Sequence, residues 1–501
     1  MTRERPLAET HGGTLRGVWR DGAAAFLGVP YAEAPVGPLR FGAPVPARPW
    51  KGIREAAGHG PTACRTGSPY AFMPEMAIAG DDILNLNVVT PSPDRSAGLP
   101  VLVWIHGGGF LNGASNNVYY EGQSFARDGV VVVTIGYRLG FDGFGHVHGA
   151  PHNRGVRDWL AALEWVRDNI GAFGGDPGRV TVAGESAGGG AVLTLLGMES
   201  AQPLFHAAIS LSGALSDTPL ERSERMGRRF ARALGTTPDR AGFAAVPEQR
   251  LLSVQDGLVI GSTRRPHRLL STAASLSTGI LPIGPVVDGE LVRRPTLDSL
   301  TAGIGADKPL LLAVTDDENT AELARALPAA VDRLPASRVL HLVGRLSEPE
   351  RSRFIAHHPG LGTRTLLGRL AAVTLFQRLA LEVADARGTA PSWLARLAWP
   401  SPTYGDALHA LDLPFFFDIL TAPSARHLVG DDAPQAIADE LHGAAVRLAH
   451  GRTAGWEPWL PQRQSVRVLG TPVTTEHDGF PDARLLSRRL RPQLRPDTAG
   501  L

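Results

Sequence analysis

The stretch VTVAGESAGGGAVLTLL (180–196) decides the fold. Val180–Ala183 is short, partly β-branched and uninterrupted by charge, the composition of a strand covered on both faces. Ala191–Leu196 reads as an apolar helix. Between them stands Gly184-Glu185-Ser186-Ala187-Gly188. A chain that passes from strand to helix within so few residues must turn sharply, and Ser186 sits at the apex with its hydroxyl above the sheet edge. Gly184 and Gly188 leave space where a Cβ would meet neighbouring backbone. The helix N-terminus beneath Ser186 supplies free N–H groups and partial positive charge.

Working outward, Leu84–Val89, Val101–Ile105, Val130–Ile135, Ala208–Leu211 and Leu310–Val314 read as further strands. Val156–Phe173 reads as a helix, with Trp159, Leu160, Leu163, Val166 and Ile170 at steps of three and four, and so does Leu366–Ala386. Apolar runs alternating with helical patterns predict an α/β protein: a large, mostly parallel sheet with helices on both faces. The first 60 residues, rich in Gly and Pro, predict a small β region, and His11–Gly13 reads as a turn. One unit over 1–501 is expected, with helical insertions around 215–280 and 320–390 and a disordered tail over 487–501.

His106-Gly107-Gly108-Gly109-Phe110 directly follows the strand Val101–Ile105. Acyl transfer creates an oxyanion, which is best stabilised by backbone N–H groups already aimed at it. Consecutive glycines let the backbone approach a substrate with no side chain between.

Composition removes competing chemistries. Fifty Lys+Arg against 49 Asp+Glu leave a formal charge of +1, too balanced for a general nucleic-acid binder. The lysines are Lys51 and Lys308; neither follows a glycine, so no phosphate loop ending in Gly-Lys-Ser or Gly-Lys-Thr exists. The single Cys64 excludes an internal disulfide and a thiolate-rich metal site. The N-terminal MTRERPLAET lacks the apolar core of a secretory signal, and the longest apolar runs are strand-length. A soluble, cytoplasmic protein without membrane or nucleic-acid partners is expected.

Taken with FLGVPYAEAPVGPLRF (26–41), DDILNLNVVTP (81–91), GYRLGFDGFG (136–145), NRGVRDWLAALEWVRDNIGAFGGDP (153–177), PIGPVVDGELV (282–292) and LHALDLPFFF (408–417), the two glycine motifs make the chain resemble the type-B carboxylesterases. That family has the α/β-hydrolase fold and includes para-nitrobenzyl esterases and cholinesterases. The resemblance implies Ser186 as nucleophile, His409 as general base, and Gly108, Gly109 and the N–H of Ala187 as oxyanion donors. The acid is implied in Ala313-Val314-Thr315-Asp316-Asp317-Glu318-Asn319, with Glu318 the choice and Asp316 or Asp317 the alternatives if the loop is shifted. The order Ser, acid, His agrees with the fold.

The resemblance further implies supporting roles for Glu185 and Ser212, and two buried ion pairs, Arg40 with Asp81 and Arg138 with Asp158. Cys64 matches half of a disulfide whose partner position here is Ile83, so the unstapled loop 65–80 is expected to be mobile and to rim the site. Phe110, Tyr70, Phe72, Met73, Phe415 and Phe416 are the candidate pocket walls, with core packing the competing role for the Phe415–Phe417 run. Aromatic content of 6% argues against an aromatic gorge suited to quaternary ammonium esters. The expected activity is serine ester hydrolysis through an acyl-enzyme on small to medium acyl or aryl esters, with no metal or other cofactor, by a monomer or weak homo-oligomer. Carbamates, amides, thioesters or lactones would use the same residues. A non-catalytic adhesion protein of this fold would typically lack a member of the triad.

Overall fold

The computed structural model describes residues 4–65, 76–260 and 281–487. Tyr70, Phe72 and Met73, most of the loop 65–80 and nearly all of the expected tail lie outside these residues. Among the described residues eleven strands form the central sheet: β1 (Val18–Arg20), β2 (Ala23–Pro30), β3 (Asn85–Thr90), β4 (Leu99–Ile105), β5 (Val131–Ile135), β6 (Gly175–Glu185), β7 (Ala207–Leu211), β8 (Leu310–Thr315), β9 (Ser392–Leu397), β10 (Ser465–Leu469) and β11 (Thr474–His477). Their spatial order is β11-β10-β9-β8-β7-β6-β4-β5-β3-β2-β1. The run from β10 to β5 is parallel throughout. β3, β2 and β1 continue one edge antiparallel, and β11 closes the other.

Alternation along the strands explains the two-sided burial. Val101, Val103, Ile105, Val131, Val133, Val180 and Val182 point to one face. There they meet Trp159, Leu163 and Val166 of the helix Arg154–Asn169. Leu102, Trp104, Val130, Val132, Ile209 and Leu311 point to the other, where Ile437, Leu441 and Leu448 of the helix Gln435–Ala449 cover them. Side chains with a period of two therefore fill two cores, which is why these strands carry almost no polar residue.

A separate three-stranded sheet comprises Leu7–Thr10, Gly13–Arg16 and Ile53–Glu55, and residues 11–12 form the turn between its first two strands. The N-terminal region is less separate than expected, because β1 and β2 belong to the central sheet. The segment before residue 260 holds helices Leu220–Leu234, Arg240–Ala244 and Glu248–Gln255. The segment after β8 holds Thr320–Ala326, Ala336–Gly344, Glu348–His357 and a long helix from Thr363 to Arg387 interrupted by a π-turn. No described helix is long and apolar enough to cross a membrane.

Arg138 and Asp158 form a buried ion pair at 2.6 Å, with Asp158 also accepting the Arg138 backbone N–H at 3.0 Å. The expected partner of Arg40 is corrected. Arg40 lies 3.5 Å from Asp142 and donates to the Val246 carbonyl at 2.7 Å, while Asp81 is exposed. The turn Gly37–Leu39 directs Arg40 inward, over the Phe41 ring and toward the short helix Gly140–Phe144 that carries Asp142. Cys64 is a free thiol.

Candidate active site

Ser186 makes the whole strand-to-helix turn. β6 ends at Glu185, the helix starts at Ala187, and Ser186 between them has φ 57° and ψ −123°. A residue with a Cβ reaches that region only under strain, on the order of 1–3 kcal/mol. The flanking glycines are needed for packing. A Cβ on Gly188 would stand 2.0 Å from the Ile105 carbonyl oxygen, and one on Gly184 would stand 2.6 Å from the same oxygen. The elbow is thus pressed against the end of β4, where the glycine loop begins.

That loop lies beside Ser186: a Cβ on Gly107 would come within 3.0 Å of Ser186 Cβ. Gly108 and Gly109 have φ of 104° and 63°, and a Cβ on Gly108 would fall 2.3 Å from the Asn112 carbonyl oxygen. Among the described residues, the N–H groups of Gly108, Gly109 and Ala187 donate to no protein acceptor. His106 anchors the loop. Its ring stacks on Tyr137 at 4.4 Å, its Nδ1 donates to the Gly107 carbonyl at 2.8 Å, and burial pushes its pKa down to about 3, so it is neutral.

His409 and Glu318 are clipped together by backbone. The Asp317 N–H donates to the Ala407 carbonyl and the His409 N–H to the Glu318 carbonyl, each at 3.0 Å. This short parallel bridge sets His409 Nδ1 2.5 Å from Glu318 Oε2 and His409 Nε2 2.9 Å from Ser186 Oγ. The other oxygen of Glu318 accepts the Ser212 hydroxyl at 2.8 Å and the Thr315 N–H at 2.9 Å. Asp316 and Asp317 are engaged elsewhere, with Arg396 at 2.8 Å and Arg369 at 2.5 Å, so of the three carboxylates it is Glu318 that faces the imidazole. Ser212, Glu318 and Ala410 join Ser186 in having positive φ, of 42°, 29° and 65°. Backbone strain is therefore concentrated where the three side chains converge.

Two further carboxyl groups surround His409. Glu185 Oε1 lies 3.1 Å from Nε2, and burial, opposed by His409 and reinforced by Asp412 and Glu318, pushes the Glu185 pKa up to about 8. Asp412 is buried, and neither of its carboxyl oxygens makes a full hydrogen bond. Burial and the nearby Glu318 push its pKa up to about 7. For His409, burial disfavours the charged ring, but Glu185, Glu318 and Asp412 together outweigh it and hold the pKa above the ordinary value.

Of the pocket candidates, Phe110, Phe415 and Phe416 are corrected. Phe110 packs on Phe144 and Trp159 at 5.0 and 5.8 Å. Phe415 packs on Trp399 at 5.5 Å, and Phe416 on Trp104 and Phe125 at 5.3 and 5.4 Å. All three are fully buried core residues. The left-handed φ of 61° at Phe110 and the short helix Leu413–Phe416 turn these rings into the two cores. Sequence reading missed Asp412, for which the signal is a carboxylate within the His409 motif. It also missed Phe376, whose ring lies 4.8 Å from that of His409 and has no sequence signal. Among the described residues no cluster of His, Cys, Asp and Glu could hold a metal ion.

A profile of the carboxylesterase family matches residues 4–340. The chain is 31% identical to the para-nitrobenzyl esterase of Bacillus subtilis over 94% of its own length and 96% of that protein. It is 33% identical to the phenmedipham hydrolase of Pseudarthrobacter oxydans, covering 93% and 95% of the two chains. Among solved structures, a Geobacillus stearothermophilus carboxylesterase superimposes with a TM-score of 0.82 at 32% identity, covering 96% of this chain and all of that one.

Proposed function

Since the chain belongs to the carboxylesterase family and is an ester-hydrolysing enzyme of the α/β-hydrolase fold, we propose that Ser186, His409 and Glu318 are its catalytic triad. The observation that carries this reading is the placement of one imidazole, 2.9 Å from Ser186 Oγ and 2.5 Å from Glu318 Oε2. His409 Nε2 takes the Ser186 proton as Oγ attacks the ester carbonyl. The tetrahedral oxyanion is received by the N–H groups of Gly108, Gly109 and Ala187, each donor being worth about 3 kcal/mol in comparable sites. The imidazolium, held by Glu318, returns the proton to the departing alcohol. Water then gives its proton to His409 Nε2, attacks the acyl carbon and frees the acid, while Ser186 regains a proton.

The substrate class in this reading is small to medium acyl or aryl esters. All three members of the triad come from one chain, so a monomer or weak homo-oligomer suffices. A cytoplasmic enzyme belongs to the same reading, supported by one Cys in 501 residues. The test is turnover of a para-nitrophenyl acyl ester. Ser186→Ala should lower kcat by roughly 10⁴-fold or more with the fold intact. Near-normal turnover would refute the assignment.

A further inference from the structure

The helix Thr363–Ala372 runs into a π-turn, Val373–Gln377, before continuing as Arg378–Arg387. A π-turn has poorer geometry than an α-turn and persists where tertiary contacts hold it, frequently at functional sites. Two sets of contacts hold this one. On the side of the acid loop, Gln377 Nε2 and Arg369 Nη1 donate to the Asp316 carbonyl at 3.2 and 2.5 Å. On the other, the helix Pro481–Ser487 packs on the turn. The two carboxylate oxygens of Asp482 on that helix tie it to His357 Nδ1 and His358 Nε2, each at 2.7 Å.

The consequence of the turn is the position of Phe376. Its ring centre stands 4.8 Å from that of His409, the planes are tilted by 41°, and only 3% of the residue is exposed. Removing the extra residue of the turn would rotate the following side chains by about 100° relative to the preceding ones. The contact with His409 therefore depends on the π-turn.

His409 is held in its ring plane by Glu318 at Nδ1 and by Ser186 at Nε2, and Glu185 Oε1 also lies 3.1 Å from Nε2. The second bond disappears when Ser186 Oγ becomes an ester oxygen, because that oxygen no longer carries a proton to donate. From then until hydrolysis, Nε2 must stay aimed at the space where water attacks. We propose that Phe376 is a positioning residue for deacylation: it bears on the imidazole and keeps Nε2 in line during the acyl-enzyme stage. In that step water loses a proton to His409 Nε2, its oxygen bonds to the acyl carbon, the bond from that carbon to Ser186 Oγ breaks, and the same proton returns to Oγ. The inference rests on the triad reading above.

Burst kinetics with para-nitrophenyl acetate separate the two steps. The burst counts competent sites, so rates are compared per site and a loss of folded protein is factored out. For Phe376→Leu the expected result is an unchanged burst rate and a steady-state kcat per site lower by about ten- to a hundredfold, the scale of a misplaced catalytic group. KM should fall in parallel, leaving kcat/KM nearly constant. Phe376→Tyr keeps the ring and should recover most of kcat. A per-site kcat equal to that of the unaltered enzyme, or burst and steady-state rates reduced by one common factor, would overturn the proposal. Ser186→Ala separates this failure from that of the triad: if that variant still turns over ester, the triad reading falls; if it is inactive while Phe376→Leu behaves normally, only the role of Phe376 falls.

Discussion

His409 Nδ1 and Glu318 Oε2 stand 2.5 Å apart in a pocket where neither residue is more than 2% exposed. Burial makes this contact consequential, since an imidazolium formed there has no solvent to stabilise it. Glu318→Gln removes the charge while keeping the shape. The expected outcome is a loss in kcat of about 10³–10⁴-fold, the scale seen when a triad acid is replaced by its amide. Steady-state kinetics with a para-nitrophenyl ester measure it, and circular dichroism checks the fold.

Ser212 orients the same carboxylate from its other oxygen at 2.8 Å. Ser212→Ala deletes one hydrogen bond to a charged group, worth about 1.5–3 kcal/mol. Part of that loss should appear in kcat/KM, as a drop of roughly tenfold. A fall as deep as that of Glu318→Gln would give Ser212 more than a supporting role.

Glu185 provides a pH test. A general base works when neutral, so activity is present above the His409 pKa and is lost as pH falls through it. Glu185 raises that pKa once it is ionised, which its own pKa of about 8 places in the alkaline part of the profile. Glu185→Gln removes the contribution and should move the rising limb of the kcat/KM profile to lower pH, as read from initial rates between pH 5 and 9. A shift to higher pH would contradict this electrostatic account.

Asp412 gives a stability test. Its folded pKa of about 7 lies above the ordinary 3.8. Between those values the folded chain keeps a proton that the unfolded chain releases, so its contribution is complete below pH 3.8 and is lost as pH rises to about 7. Each unit is worth about 1.4 kcal/mol, for a total of at most about 4 kcal/mol. Asp412→Asn cannot titrate. The Tm of the variant relative to the unaltered protein should therefore rise between pH 4 and pH 8, as thermal melts would show.

The ion pairs give a contrast. Asp158→Asn leaves the Arg138 guanidinium buried beside a neutral partner and should cost about 3–5 kcal/mol in denaturant unfolding. Asp81→Asn, at an exposed position, should change stability by less than about 0.5 kcal/mol.

Ser186 was legible because local chain geometry decides it: a strand, a sharp glycine-flanked turn and a helix lie within 17 residues. His409 and Glu318 are separated by 91 residues and are paired only through a backbone bridge, so the motifs named them and the spacing could not. Arg40 shows the limit of motif transfer: the motif names a buried pair with Asp81, but Asp142 is the carboxylate its turn directs it toward. β2 is hidden by its Gly and Pro, and β9 carries Arg396, which breaks the apolar run that marks the other strands. Phe376 was illegible for a different reason. A π-turn depends on contacts made by Gln377, Arg369 and the helix Pro481–Ser487, none of which leaves a periodicity in the sequence.

The most direct test of the central claim is covalent. An organophosphate that phosphonylates activated serines, followed by intact-mass and peptide mass spectrometry, reports which hydroxyl is the nucleophile. The account predicts one adduct per chain, on the peptide containing Ser186, with loss of esterase activity in proportion to labelling and no adduct in Ser186→Ala. Inactivation with the adduct on another residue, or full activity retained after stoichiometric labelling of Ser186, would contradict it.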